Sequence, residues 1–173
     1  MELHQGQQAV VDHAARFNVV WVGRRWGKGV LAEHLATGVG AVLLAPYPMC
    51  RYLEDAREAK GASLCSLTLH RVVVDEAPGV KNLMALFRED ILPSVLDWQG
   101  DVWFLGTARD SNPMAEDASD FLKLYRRGLE GEPGWMSYRA PSTENPTFPT
   151  ELLAEVRFTS GKAGLEQEFL VGP

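Results

Sequence analysis

Two stretches of the chain carry residues whose types and spacing suit phosphate chemistry. The first, Phe17–Gly29, reads FNVVWVGRRWGKG: a β-branched and aromatic run, a glycine turn and Lys28. Glycines let backbone N–H groups approach an anion closely. A helix that begins near Lys28 directs its positive end at that anion, and the ammonium adds a mobile charge. The stretch therefore predicts a strand, a phosphate-binding P-loop and a helix.

This loop departs from the usual P-loop pattern at both ends. The pattern G-x4-G-K-S/T would place glycine where Val22 stands, although Gly23 is its neighbour, and a hydroxyl where Gly29 stands. A Gly-Lys-Gly sequence after a strand is also common as a plain turn. The P-loop interpretation therefore needs support from elsewhere in the chain.

The second stretch supplies that support. In Leu69–Pro78, LHRVVVDEAP, a continuous valine triplet predicts a strand that is buried on both faces, and the triplet ends in Asp75 and Glu76. In P-loop NTPases an Asp at this place serves Mg²⁺, and an adjacent Glu can polarise the attacking water. The alternative is a surface Asp-Glu turn. Small-molecule kinases need no such glutamate, so the pair favours a hydrolase.

Two further polar residues lie at positions that could serve the same site. Gln7, with Gln8 beside it, precedes the first strand, where an amide can read the donor and acceptor edge of adenine. The alternative is a solvated helix N-terminus. Thr107 ends the strand Val102–Gly106, where its hydroxyl can lie between the acidic pair and a γ-phosphate. The alternative there is a threonine that only caps the strand.

Length and charge limit the classes of function. The chain has 173 residues, 46% of them hydrophobic, which suits one α/β domain. No apolar run is long enough to span a membrane, and Cys50 and Cys65 lack metal-ligand spacing, which predicts reduced thiols. Residues 1–86 carry nine Lys/Arg against eight Asp/Glu, and residues 87–173 carry eight against fifteen. We therefore expect any nucleic-acid contact to be local or to be made by a ring of subunits.

Helical and strand patterns alternate along the chain. Predicted strands cover residues 17–22, 39–46, 72–74, 102–106 and 135–139, and predicted helices cover 3–16, 28–37, 47–60, 81–96, 114–129 and 150–170, the last broken near Ser160-Gly161. This alternation predicts an α/β fold: a three-layer, doubly wound and mostly parallel sheet of the P-loop NTPase (ASCE) type. We expect residues 1–140 to form the ATPase core, and residues 141–173 to form a Pro-rich connector and a helical, lid-like region.

With these motifs in order, the sequence resembles the ATPase domain of the large subunit of bacteriophage terminases, the motor that packs viral DNA. The resemblance covers most of the chain. It rests on His4-Gln5-Gly6-Gln7, the Gly-Arg-Arg-x-Gly-Lys loop, Ala45-Pro46-Tyr47, Val73-Val74-Asp75-Glu76-Ala77, Gly106-Thr107, Asn145-Pro146 and Gln167-Glu168-Phe169-Leu170.

The resemblance implies ATP and Mg²⁺ as ligands and assigns a role to each candidate residue. Gln7 would lie on the adenine side, Asp75 would serve the metal, Glu76 would be the catalytic carboxylate and Thr107 the coupling residue. The phosphate cradle would comprise Gly23, Arg24, Arg25, Trp26, Gly27, Lys28 and Gly29. Arg24 or Arg25 would add charge at the phosphates, because guanidinium binds phosphate in a bidentate way.

The implied function is ATP hydrolysis that drives double-stranded viral DNA into a procapsid, in the host cytoplasm. The implied partners are double-stranded DNA held by an assembled ring, a portal protein, a small terminase subunit and further copies of the chain, with a monomer expected in isolation and no membrane. Two alternatives stay open at this point. One is a helicase or recombinase-type ATPase, and the other is a degenerate P-loop protein without turnover.

The sequence departs from the family pattern in three respects. Gly29 removes the hydroxyl ligand to Mg²⁺. The segment before Asp75 is shorter than expected and has no Arg-Gly pair for a trans-acting arginine, a role that Arg57 or Lys60-Gly61 would have to fill. Finally, the sequence as given stops where the resemblance places the family's nuclease domain with its clustered acids, as expected of an excised motor domain or of a naturally short relative, and we expect no DNA cleavage by these 173 residues.

Overall fold

The computed structural model describes residues 2–37, 41–44, 67–107, 114–115 and 118–171. Several predicted features lie outside these residues: the helix 47–60, the Ala45-Pro46-Tyr47 motif, both cysteines, and the arginine-finger candidates Arg57 and Lys60-Gly61.

Five parallel strands form one sheet. They are β1 (Phe17–Val22), β2 (Ala41–Leu44), β3 (Arg71–Val74), β4 (Asp101–Gly106) and β5 (Trp135–Ala140), in the spatial order β2-β3-β4-β1-β5. Every neighbouring pair is parallel. Strand β4 lies between the P-loop strand and the acidic strand, as expected for the ASCE type. All five carboxyl ends meet at one edge of the sheet, which is where α/β proteins bind ligands.

Among the described residues, α-helices precede, connect and follow these strands, with bounds that differ in places from the predicted ones. They are α1 (Gln5–Asp12), α2 (Lys28–Ala36), α3 (Leu83–Leu86), α4 (Leu92–Ser94), α5 (Asp120–Leu129) and α6 (Glu151–Leu165). The predicted helix 114–129 begins only at Asp120. The predicted helix 81–96 is interrupted by a π-helical turn, Phe87–Ile91, because Pro93 has no N–H for the α-helical ladder.

The last helix contains the predicted break. Gly161 has φ 71° and ψ 177°, which is outside helical geometry, and a π-helical turn over Glu166–Leu170 follows α6. No helix among the described parts of the chain is long and apolar enough to cross a membrane.

Two hydrophobic clusters cover the two faces of the sheet. Trp21 and Phe104 point to one cluster with Phe87, while Val22 and Trp103 point to the other with the helix α2. Side chains alternate between faces along a strand, and both faces are apolar here, so the strands read as continuous hydrophobic runs. This confirms the predicted layered α/β core.

Candidate nucleotide site

The predicted P-loop lysine lies beside two other predicted residues. Lys28 is the first residue of α2, and its Nζ donates a hydrogen bond of 3.0 Å to Thr107 Oγ1 and lies 3.6 Å from Glu76 Oε1. Thr107 Oγ1 in turn donates to the carbonyl of Val22 at 2.7 Å. The carboxyl ends of β1, β3 and β4 thus bring together an ammonium, a carboxylate and a hydroxyl.

The start of α2 has the geometry of an anion site. Gly27 precedes the helix with φ 104°, a left-handed conformation that a side chain would strain. Because the first helical N–H groups have no partner within a helix, they face outward along the axis at its positive end. With the Lys28 ammonium, this arrangement suits a phosphate group.

The acidic pair is held in an unusual turn. Glu76 has φ 50°, which is uncommon for a residue other than glycine, and its N–H donates to Asp75 Oδ1 at 2.9 Å. Burial raises the pKa of the Asp75 carboxyl above its ordinary value. The Glu76 N–H bond opposes the shift, the Glu76 charge adds to it, and Lys28 opposes it. Glu76 is half exposed, so water can reach it.

Asp75 is a partly buried carboxylate with a raised pKa, which suits a residue that receives a cation. Mg²⁺ in phosphate-transfer sites takes one or two carboxylates together with substrate phosphates and water, so Asp75 fits that role. Within the described residues there is no cluster of three or more metal-ligating side chains.

Asp75→Asn should raise the melting temperature of the ligand-free protein at neutral pH. Because the folded-state pKa of Asp75 is raised, stability present at low pH is lost as pH rises through that pKa. Asparagine removes this loss, so the advantage over wild type should shrink as pH falls toward the ordinary aspartate pKa. The same variant should need more Mg²⁺ for ATP binding. Thermal scans across pH and Mg²⁺ titrations measure both effects, and a lower melting temperature at neutral pH would contradict the argument.

The two loop arginines differ in their surroundings. Arg24 Nε lies 3.1 Å from Glu168 Oε2, and the Arg24 N–H donates to the Glu168 carbonyl at 2.8 Å. Arg25 is exposed, with φ 62°, and forms no ion pair with another described residue. The Arg25 guanidinium thus has no ion-pair partner among the described residues, whereas Arg24 ties the loop to the C-terminal segment. Nothing in the sequence around Glu168 predicts its contact with Arg24.

The side chains of Gln7 and Trp26, both predicted to contact the nucleotide, are buried. Gln7 is 2% exposed, so the solvated alternative is wrong, and its Nε2 donates to the Gly27 carbonyl at 2.8 Å. The amide nitrogen has a second N–H, so this bond does not prevent a contact with adenine, and that role stays a prediction. The Trp26 side chain is fully buried in the core, so only its main chain lines the loop.

Gly29 leaves space where the usual P-loop hydroxyl would stand. A Cβ added there would meet no atom within 4 Å. We expect Gly29→Ser to fold and to lower the Mg²⁺ concentration needed for ATP binding, because the hydroxyl supplies an oxygen ligand. Gly29→Ala is the matched control, since it adds the Cβ without the hydroxyl. Identical Mg²⁺ titrations for the two variants would mean that another group already fills the position.

Comparison with known proteins agrees with this geometry. No protein-family model matches the sequence, and no curated protein matches it. The large terminase ATPase domain of Thermus phage P74-26 superposes with a TM-score of 0.71 and 18% identity, covering 97% of this chain and 92% of that one. A mutant of the same domain superposes with a TM-score of 0.71 and 17% identity, covering 97% of this chain and 93% of that one. The fold is that of a large terminase ATPase domain. The terminase fold confirms the predicted P-loop NTPase class, and at this identity it shows the fold alone.

Proposed function

We propose that this chain is a terminase-like ATPase. The observation that carries the proposal is the meeting of Lys28, Glu76 and Thr107 at the N-terminus of α2, with Lys28 Nζ 3.0 Å from the hydroxyl and 3.6 Å from the carboxylate. Phosphoanhydride hydrolysis uses a phosphate-binding cation and a base for water, and the Thr107 hydroxyl joins the end of β4 to the end of β1.

Each residue has a defined part in the proposed reaction. The N–H groups at the start of α2 and Lys28 hold the β- and γ-phosphates, and Arg25 adds charge from the loop. Asp75 serves the Mg²⁺ that accompanies ATP. Glu76 accepts a proton from the water that attacks the γ-phosphorus, and ADP leaves. Thr107 bonds both Lys28 and the end of β1, so a displacement of Lys28 is transmitted to the strand edge.

The finer assignment is that hydrolysis drives double-stranded DNA into a procapsid. It includes a ring of copies, a portal protein and a small subunit as partners, in the host cytoplasm, with residues 1–140 as the motor core and 141–173 as the lid-like region. The charge distribution supports an assembled DNA site rather than one on a single copy. The basic residues of α5 already pair with acids, as Lys123–Asp120, Arg126–Glu130 and Arg127–Glu132.

The test is the dependence of ATPase rate on protein concentration. Ring motors complete their sites with an arginine from a neighbour, which is worth about 10³–10⁵ in rate. We expect slow turnover by the isolated chain, with specific activity that rises with concentration or when double-stranded DNA and portal are added. A high specific activity that does not change with protein concentration would mean that the activating arginine belongs to the same chain, with Arg25 as the first candidate. Stimulation by single-stranded DNA alone would favour a helicase-type ATPase, and ATP binding without turnover under any condition would favour the degenerate P-loop.

A further inference from the structure

The main-chain carbonyls of the P-loop are bound from outside the loop. Four consecutive carbonyls, those of residues 24–27, each accept a hydrogen bond from a side chain elsewhere in the chain. The Ser142 hydroxyl donates to Arg24, Asn145 Nδ2 to Arg25 at 2.8 Å, His4 Nε2 to Trp26 at 2.9 Å and Gln7 Nε2 to Gly27 at 2.8 Å. We call these four side chains the carbonyl clamp.

The four donors come from two segments that lie far apart in sequence. His4 and Gln7 flank the start of α1, while Ser142 and Asn145 belong to the Pro-rich segment that the sequence predicts as a connector. Ser142 is fully buried, which is unusual for a serine in a connector. The segment 141–145 thus packs against the P-loop, a contact that the prediction of a connector missed.

Clamping the carbonyls determines where the N–H groups point. A trans peptide is planar, so the C=O of one residue and the N–H of the next point in opposite directions. Carbonyls held toward the clamp therefore direct the N–H groups of residues 25–28 away from it. One of these, the Trp26 N–H, bonds the Gly23 carbonyl at 3.2 Å. Among the described residues, the N–H groups of Arg25, Gly27 and Lys28 donate no main-chain hydrogen bond, and each points away from the side chain that binds the preceding carbonyl.

The His4 side chain bonds both the start of α1 and the P-loop. His4 Nδ1 accepts from the Gly6 N–H at 3.1 Å and caps α1, so the ring proton of the neutral imidazole lies on Nε2, which faces the Trp26 carbonyl. One side chain thus joins the helix cap to the P-loop. Gly23, at the start of the loop, allows the main chain to approach the C-terminal segments closely. A Cβ there would lie 2.4 Å from Ser142 Oγ and 2.4 Å from the Phe169 carbonyl.

We propose that His4, Gln7, Ser142 and Asn145 are positioning residues that preorganise the P-loop for a polyphosphate. The inference rests on the proposed function, because it assigns these residues to ATP binding at the same site. When a loop already has its binding geometry, ligand binding costs less free energy for ordering the loop. The clamp acts through the loop's N–H groups and touches no reacting atom, so it contributes to affinity for the phosphates and leaves the chemical step unchanged.

The test compares tripolyphosphate and ATP as ligands of single variants of the whole chain. Ser142→Ala removes one donor hydroxyl and little else. Asn145→Asp keeps the oxygen that accepts from Thr147 N at 3.0 Å but replaces the donor amide. Its matched control is Thr143→Asp, which adds the same charge to an exposed position of the segment. His4→Asn keeps a residue that caps helices well and is too short to reach the Trp26 carbonyl.

The expected result is a loss of affinity without a loss of turnover rate. The dissociation constants of both ligands should rise about 3- to 10-fold in Ser142→Ala and His4→Asn, and by a similar factor in Asn145→Asp relative to Thr143→Asp. The kcat at saturating ATP should stay within about twofold, because the clamp touches no reacting atom.

Four outcomes overturn the proposal. Unchanged affinity for both ligands in Ser142→Ala and Asn145→Asp, at melting temperatures close to wild type, refutes the clamp. A lowered kcat with unchanged affinity refutes its assignment to binding. Wild-type protein that binds neither tripolyphosphate nor ATP refutes the proposed function itself, and the clamp with it. A loss for ATP that is absent for tripolyphosphate places the residue at the adenine side, which also contradicts the clamp.

Discussion

Replacing Glu76 by glutamine is expected to slow ATP hydrolysis by at least about 100-fold, the usual scale for losing a general base. The amide keeps the shape of the side chain but does not take a proton from water at neutral pH. ATP binding should persist, because Glu76 lies 3.6 Å from Lys28 and removing its charge frees the ammonium for phosphate. Single-turnover hydrolysis and nucleotide titration on the same preparation separate the two effects.

The control for Glu76→Gln is Glu130→Gln. Glu130 pairs with Arg126 on α5, away from the P-loop, and its loss changes the net charge equally. We expect that variant to hydrolyse ATP at the wild-type rate. A Glu76→Gln protein with near-normal turnover would show that another group activates water, and the proposed role of Glu76 would be wrong.

Replacing Lys28 by alanine should abolish useful ATP binding, raising the dissociation constant by about 100-fold or more. The loss follows from the removal of a charged side chain, 11% exposed, at the proposed site of the phosphates. The fold should survive, because Thr107 keeps its bond to the Val22 carbonyl at 2.7 Å and the start of α2 depends on Gly27. Calorimetric titration with ATP measures the affinity, and a thermal scan checks the fold.

The control for Lys28→Ala is Lys123→Ala, which removes a lysine from a surface pair with Asp120 on α5. That variant should bind ATP like wild type, since exposed ion pairs contribute little. The comparison with Glu76→Gln is equally important. If both Lys28→Ala and Glu76→Gln lost binding to the same extent, the division into a phosphate-binding lysine and a water-activating glutamate would be wrong.

Local patterns in the sequence were sufficient to predict the parallel sheet and the residues at the centre of the candidate site. The β-branched runs before Gly23 and before Asp75 predict buried parallel strands, because a strand with both faces covered has no polar alternation. Parallel strands in such a fold share one carboxyl edge, so Lys28, Asp75, Glu76 and Thr107 are expected together before any coordinate is known. The structure places these four residues at that edge.

Element boundaries were less predictable. Polar and small residues near 114–119 fit the start of a helix as well as a loop, and only packing of the helix decides the point at which it begins, Asp120. Pro93 signals that the helix predicted over 81–96 is interrupted, but not that the interruption is a π-helical turn over Phe87–Ile91. Helical propensity is a weak signal at such places, because tertiary contacts override it.

The sequence by itself determined which residues do the proposed chemistry, because their types, order and strand-end positions are local properties. Only the tertiary structure decided how the P-loop is held: Arg24 is paired with Glu168, Arg25 is left exposed, and the loop carbonyls are bound by Ser142 and Asn145. These partners lie 118 to 144 residues from the loop in the chain. Hydrogen bonds over such separations have no spacing rule, since they form only when the sheet and its helices bring the segments together.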